Sequence, residues 1–182
     1  MKNISFFLNI KHGIYLLTCI FVGILLKNCY SFTGGTIPEY LKTLYISTVN
    51  DNSGFGNPNY RNNLTQLLVD KFRNDNSYTL VERGGDAKLN VSITSIDDAT
   101  LTVGVGGRAG GAGELENQRK ITVTCEAEYY DSVKKKLIWK KTFSNFEVYD
   151  LTQNVQQSRD NAINTALEQT ADDILLSVVS GW

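Results

Sequence analysis

Three clusters of carboxylates are the side chains of this 182-residue chain whose types and spacing most suggest chemistry. They are Asp97-Asp98, Glu126 with Glu128, and Asp172-Asp173. Glycosidases use a pair of carboxylates, and calcium sites gather several carboxylate oxygens around one ion. Acids that are adjacent or alternate along an exposed face are more commonly solvated, so the sequence favours a surface role for these clusters.

Nucleophilic catalysis is limited by the scarcity of histidine. The single histidine, His12, lies in an N-terminal segment that we expect to be removed from the mature protein. Without an imidazole, the Ser-His-Asp and Cys-His mechanisms are excluded. Cys125 lies on the Val123 and Ala127 side of an alternating strand, which indicates a buried structural thiol and not a nucleophile.

A glycine-rich run occupies residues 104–113 and contains Arg108. It follows a predicted strand, as nucleotide-binding loops do, but it leads into another strand instead of a helix. It also has no Gly-Lys-Ser or Gly-Lys-Thr motif to hold phosphate. The run is therefore interpreted as a mobile loop between two strands, with contact to a partner or ligand as the functional alternative.

Three consecutive lysines, Lys134, Lys135 and Lys136, fall in a predicted hairpin turn at residues 131–136. Lys140 and Lys141 follow in the next strand. The simplest interpretation is a solubilising hairpin tip. The alternative is that these ammonium groups meet acidic head groups at a membrane surface.

The first 28 residues have the pattern of an export signal. They contain three lysines and no acid, and residues 13–26 form an apolar run. Fourteen residues span only roughly 21 Å as a helix, less than the roughly 30 Å hydrocarbon core of a bilayer. The run is followed by Leu26-Lys27-Asn28-Cys29, which looks like a lipobox although Lys27 and Asn28 replace small residues. We expect Cys29 to carry the lipid, and the alternative is an ordinary Cys29 behind an uncleaved anchor.

Removal of residues 1–28 would leave 15 basic and 19 acidic residues, a net charge of -4. Such a chain is not basic enough to bind nucleic acid. With Cys29 acylated, Cys125 is the remaining thiol, so no intramolecular disulfide is expected. A hydrophobic fraction of 42% and a charged fraction of 20% are typical of a globular chain. We therefore predict a removed signal at 1–28, a lipid-anchored tether at 29–40 and a single domain at 41–182.

The hydrophobic periodicity predicts an α+β fold with the order β-α-β-β-β-α. A helix begins at Asn57-Pro58, and a long amphipathic helix covers residues 156–179. Strands are predicted at 42–50, 78–97, 121–128 and 137–149, where 78–97 is either one bent strand or two. The expected architecture is a two-layer sandwich, a mixed four-stranded sheet with both helices packed on one face.

The order and spacing of several short motifs resemble those of the LptE-like lipopolysaccharide-assembly lipoproteins. The resemblance covers nearly the whole mature chain. The motifs are Cys29-Tyr30-Ser31-Phe32-Thr33-Gly34, Ile37-Pro38, Lys42-Thr43-Leu44-Tyr45-Ile46, Asn57-Pro58, Asp70-Lys71-Phe72, Leu80-Val81-Glu82, the strand from Asp86 to Ile93, Glu116-Asn117-Gln118-Arg119, the strand from Trp139 to Phe146, and Trp182.

This resemblance implies a non-enzymatic outer-membrane lipoprotein that faces the periplasm and needs no cofactor. It implies that the chain partners the β-barrel LptD in assembling and inserting lipopolysaccharide. In this family, basic residues near one end of the sheet are held to bind lipopolysaccharide, and Arg108, Lys134, Lys135 and Lys136 are the candidates here. Two other functions stay open: a lipid-anchored periplasmic module that binds lipid or glycan without a barrel, and a hydrolase that uses a carboxylate pair.

Overall fold

A computed structural model describes residues 37–100, 118–151 and 154–180 of the chain. The elements in these ranges are β1 (Thr43–Ile46), β2 (Asn50–Asp51), α1 (Pro58–Asp75), β3 (Thr79–Leu80), β4 (Ala87–Thr100), β5 (Gln118–Asp131), β6 (Lys136–Asp150) and α2 (Val155–Val179). The predicted α+β class is confirmed, as are both helices and the hairpin between the last two strands. Residues 1–36 and 101–117, which include Cys29 and the glycine-rich run with Arg108, lie outside the described ranges.

The sheet of the described residues has six strands, not the predicted four. Its order is β3-β1-β4-β5-β6, and the short strand β2 pairs with β4. Pairing is parallel among the short strands and β4, and antiparallel from β4 to β6, so the sheet is mixed as predicted. The three long strands, β4, β5 and β6, form most of the ladder.

The extra strands arise from two local breaks in the predicted segments. Residues 42–50 divide into β1 and β2, because the Val49 amide leaves the ladder and donates to Thr65 Oγ1 on α1 at 3.1 Å. Residues 78–97 divide into β3 and β4, which lie on opposite sides of β1. Gly84, at φ 68°, makes the turn between them.

Helix α1 is formed as its sequence predicts. The Asn57 side chain caps it by accepting a hydrogen bond from the Asn59 amide at 3.1 Å, and Pro58 occupies the first turn. Asn76 ends the helix in the left-handed conformation, at φ 59°. The buried side chains of the helix recur at helical spacing on one face: Tyr60, Leu64, Leu68 and Phe72.

Helix α2 packs against β5, β6 and α1, so both helices cover the same face of the sheet as predicted. Its predicted apolar stripe is buried apart from Leu175, which is half-buried against the core. Between the helices, the Tyr60 hydroxyl donates to Asp160 at 2.6 Å, and Lys71 forms an ion pair with Asp172 at 2.7 Å. Neither of the helices in the described ranges is long and apolar enough to cross a membrane.

Two leucines of α2 provide a matched test of this packing. Leu167 is fully buried, whereas Leu176 is 58% exposed on the same helix. Replacing Leu167 by alanine should lower the free energy of unfolding by about 2–5 kcal/mol, because it leaves a cavity between helix and sheet. Leu176→Ala should change it by less than about 0.5 kcal/mol. Urea denaturation followed by circular dichroism measures both, and equal losses would contradict the packing described.

Candidate functional site

The turn between β5 and β6 presents the three lysines from a rigid base. That base is Asp131, the last residue of β5, which is 3% exposed. Its carboxylate accepts a hydrogen bond from the Lys134 amide at 2.8 Å and another from the Tyr40 hydroxyl at 2.8 Å. The Ser132 amide donates to the Asp86 carbonyl at 2.8 Å, which ties the turn to the segment before β4. The turn is thus closed by one internal hydrogen bond and fixed to the rest of the domain by two others, from Tyr40 and to Asp86.

These contacts stabilise the negative charge of Asp131 at the base of the turn. Burial raises the pKa of the Asp131 carboxyl, but the Lys134 amide and the Tyr40 hydroxyl donate to it and, together, hold its pKa below the usual value. The Lys134 ammonium lies 4.3 Å from the centre of the Tyr40 ring, within the range of a cation–π contact. Interaction with Tyr40 raises the pKa of this ammonium, so Lys134 is held in its charged form.

The outer surface of the tip combines free cations with exposed apolar side chains. Lys135 and Lys136 are exposed and form no ion pair with any described residue. Lys135 has φ 53°, the left-handed conformation that closes the turn. Val133 is 56% exposed and Leu137 is 44% exposed beside them. We call residues 133–137 the hairpin tip; its chemistry suits a ligand with anionic groups next to hydrocarbon.

Sequence reasoning found the lysines of this tip but not their supports. The role of Asp131 could have been predicted from the sequence, because aspartate is favoured at the first position of a β-turn, where its carboxylate accepts hydrogen bonds from amides further along the chain. The contact with Tyr40 could not have been predicted from the sequence, since Tyr40 lies 91 residues away from Asp131. The structure brings Lys134, Lys135 and Lys136 together, while the predicted sites Arg108 and Cys29 lie outside the described residues.

At the opposite end of the long strands, Asp98 joins four elements of the fold. Its carboxylate accepts from Arg119 of β5 at 2.7 Å and from the Tyr149 hydroxyl of β6 at 2.8 Å. Arg159 of α2 approaches it to 4.0 Å and stacks over the Phe55 ring at 4.8 Å. Burial raises the pKa of Tyr149, and its hydrogen bond to Asp98 raises it further, so the phenol stays protonated as the donor. This cluster fixes the ends of the strands.

The other carboxylate clusters from the sequence also make structural contacts. Glu126 and Glu128 both pair with Lys140 on the open face of the sheet, at 2.7 and 3.0 Å. Asp173 accepts a hydrogen bond from the Asn145 side chain at 2.9 Å. Within the described ranges, no group of three side chains is arranged to hold a metal ion.

Cys125 is buried, as its strand position predicts. Burial raises the pKa of its thiol to about 12. A thiol with such a pKa is almost entirely protonated at neutral pH and is a poor nucleophile. The interpretation of Cys125 as a structural core residue is confirmed.

A family model described as lipopolysaccharide-assembly, LptE, matches residues 41–178. This range includes every strand, α1, the hairpin tip and nearly all of α2. The chain belongs to the LptE family. The resemblance inferred from the motifs is therefore confirmed over residues 41–178.

Solved structures share the fold of this LptE-family chain at low sequence identity. Protein XCC0632 from Xanthomonas campestris is 14% identical with a TM-score of 0.53, over 80% of this chain and 91% of that chain. A minor lipoprotein from Acinetobacter baumannii is 10% identical with a TM-score of 0.52, over 78% of this chain and 94% of that chain. No curated protein matches the sequence significantly.

The hydrogen bonds to Asp131 beneath the hairpin tip predict that the stability of this LptE-family domain depends on pH. Asp131→Asn should lower the free energy of unfolding at pH 7 by roughly 1–3 kcal/mol, because it replaces a buried charged acceptor that serves two donors. The folded pKa of Asp131 lies below the unfolded value of about 3.9, so its stabilisation is present above that pH and is lost as pH falls further. The difference between wild type and variant should thus shrink below about pH 4.

Urea denaturation at pH 7, 5 and 3 measures this dependence. Asp150→Asn is the matched control, since Asp150 is an exposed carboxylate at the other end of the hairpin. Its substitution should change stability by less than about 0.5 kcal/mol. An Asp131→Asn variant as stable as wild type at pH 7 would show that the buried network does not support the turn.

Proposed function

We propose that this chain is a lipid-anchored outer-membrane protein that partners an LptD-like β-barrel in assembling and inserting lipopolysaccharide. The observation that carries the proposal is the LptE family match over residues 41–178. The role is non-enzymatic, because a barrel partner works through its shape and surface. The carboxylates that had suggested a hydrolase are engaged instead with lysine, arginine and amide groups of the fold.

Anchoring is proposed at Cys29, on the periplasmic face of the outer membrane. The lipobox-like Leu26-Lys27-Asn28-Cys29 supports this, as does the short interval of residues 29–40 before Leu41, a core residue. Acyl chains such as palmitate contribute about 0.8 kcal/mol per buried methylene, so several chains hold a protein at a membrane. The domain is then tethered beside the membrane that receives lipopolysaccharide.

Lipopolysaccharide contact is proposed at the hairpin tip. Lys134, Lys135 and Lys136 offer ammonium groups to phosphates, while Val133 and Leu137 offer exposed apolar surface to acyl chains. Tyr40 and Asp131 hold the turn in place, so its ordering costs little when a ligand binds. Arg108 is proposed as a further contact on the basis of its charge.

A pull-down from outer membranes tests the partnership. The tagged chain is extracted in mild detergent, and mass spectrometry identifies its partners and its N-terminal peptide. A large β-barrel together with an acylated Cys29 is the expected result. An acylated Cys29 without any barrel would contradict the partnership and favour a periplasmic module that binds lipid or glycan alone.

Charge reversal at the tip tests ligand contact independently of the barrel. Lys135→Glu should weaken binding of purified lipopolysaccharide about threefold to tenfold, because one exposed attraction becomes a repulsion. Arg61→Glu, an equal charge change at an exposed position on α1, is the control and should leave affinity within about twofold. Binding is measured by fluorescence anisotropy of labelled lipopolysaccharide at low and high salt. Equal losses in the two variants would show that only net charge matters.

A further inference from the structure

A cleft of about 500 Å³ lies on the open face of the sheet, and we call it the open-face cleft. Its floor includes side chains of β4 and β5 that alternate with the buried residues, so it lies on the side away from both helices. Residues 47–52 form one wall. The Ser47 amide donates to the Leu89 carbonyl at 3.0 Å, and the Asn52 amide donates to the Ile93 carbonyl at 2.8 Å. Both ends of this wall are therefore fixed to β4.

The open-face cleft presents carboxamides that the fold does not use. The side chains of Asn50, Asn52 and Asn90 line it, and they have no hydrogen-bond partner among the described residues. Ser92 lies opposite Asn50 in the pairing of β2 with β4 and adds a hydroxyl. Each carboxamide offers two donor hydrogens and one acceptor oxygen. The cleft thus offers donors and acceptors close together on a fixed backbone.

The charged groups around the open-face cleft balance one another. Glu126 and Glu128 contribute two carboxylates, and Lys140 pairs with them at 2.7 and 3.0 Å. Lys88 contributes a second ammonium group, which lies 5.8 Å from the centre of the Tyr45 ring and in no ion pair with a described residue. Two carboxylates and two ammonium groups give no net charge. The cleft therefore lacks the net positive charge that attracts phosphates to the hairpin tip.

Hydrocarbon also finds little to contact in this cleft. Among the described residues that line it, only Val91 is apolar, and Val91 is 2% exposed. An acyl chain would therefore bury little apolar surface there. A ligand that is uncharged and rich in hydroxyl groups suits the lining, because each hydroxyl both donates and accepts. Saccharides have this chemistry.

A second amide-rich cleft, between the first turns of the two helices, differs in one respect. There the polar side chains already bind one another. Asn57 caps α1, Asn63 donates to Asn164 at 2.8 Å, and Asp160 accepts from the Tyr60 hydroxyl at 2.6 Å. These groups stabilise the fold, whereas the carboxamides of the open-face cleft are available to a ligand.

The open-face cleft begins beside the base of the hairpin tip. In the pairing of β4 with β5, Ala87 lies opposite Asp131, whose carboxylate accepts from the Lys134 amide. Lys88 follows Ala87 and forms the near end of the cleft, which extends along β4 to Ser92, about 13 Å away. One amphiphile can therefore contact the tip through its phosphates and lay its sugars along the open face.

We propose that the open-face cleft binds an oligosaccharide, the saccharide part of the lipopolysaccharide whose phosphates contact the hairpin tip. The source of the sugar rests on the proposed function, while the cleft itself is separate from the tip. Carboxamides and carboxylates accept and donate hydrogen bonds to the sugar hydroxyls, and the fixed wall at residues 47–52 limits the cost of ordering on binding.

Isothermal titration of the full mature lipoprotein in detergent tests the cleft. The probe is the saccharide chain released from lipopolysaccharide by mild acid hydrolysis and then dephosphorylated, so it carries neither acyl chains nor phosphates. Asn90→Ala should weaken its binding about threefold to tenfold, because one hydrogen-bonding group is lost. Asn74→Ala, which removes the same group from an exposed position on α1, is the matched control and should stay within about twofold of wild type.

Two further comparisons separate this proposal from ligand contact at the tip. Lys135→Glu, and a change from low to high salt, should each leave the affinity for the dephosphorylated saccharide within about twofold, because the cleft carries no net charge. Intact lipopolysaccharide should respond to both. Saccharide binding that persists when Lys135→Glu has no effect on intact lipopolysaccharide would refute contact at the tip and support the cleft.

Amide chemical shifts of the isotope-labelled wild-type chain provide a readout that needs no variant. Addition of the dephosphorylated saccharide should shift the amide signals of residues 47–52, 88–92 and 126–128 more than those of residues 133–137. No measurable binding of the saccharide, equal affinities of Asn90→Ala and Asn74→Ala, or shifts confined to other parts of the chain would each overturn the proposal.

Discussion

Side-chain alternation along β5 is the constraint on which the rest of the structure depends. From Ile121 to Asp131 every second residue of this strand is buried beneath the helices, and β5 lies between β4 and β6 along the whole ladder. A slip of one residue would turn the entire buried set toward solvent. The apolar core therefore fixes the register of β5. That register in turn determines where the polar side chains at both ends of the sheet lie.

Two carboxylates, Asp131 of β5 and Asp98 of β4, organise the two ends of the sheet. At one end, Asp131 faces inward as the last member of the buried alternation and holds the turn through the Lys134 amide and the Tyr40 hydroxyl. At the other end, Asp98 receives Arg119 and Tyr149 and so joins β4, β5 and β6. A partly buried carboxylate needs donors around it. At both sites the donors come from residues that are distant in sequence, so each end of the sheet is held in place. The exposed lysines of the tip are not used for this purpose and are available to a ligand.

The sequence was informative where local periodicity determines structure. The Asn57 cap, the apolar stripe of α2 and the alternation of β5 each act over a few residues, and all were predicted. Long-range contacts decided what local periodicity did not: Thr65 accepts from the Val49 amide, so the single predicted first strand is divided into β1 and β2. Residues 78–97, predicted as one strand or two, form two strands, and β3 lies on the far side of β1 from β4. The same holds for the site, because its lysines are contiguous in sequence while Tyr40 reaches Asp131 only in the folded chain.

Membership of the LptE family and the amphipathic hairpin tip together support the central proposal, that the tip contacts lipopolysaccharide. The most direct measurement is photocross-linking in intact cells, with a photoreactive amino acid at Val133, which is 56% exposed. The same amino acid at Leu176, which is 58% exposed on α2, is the comparison. An adduct with lipopolysaccharide at Val133 and none at Leu176 is the predicted result. No adduct at Val133, in a chain that reaches the outer membrane, would contradict the account.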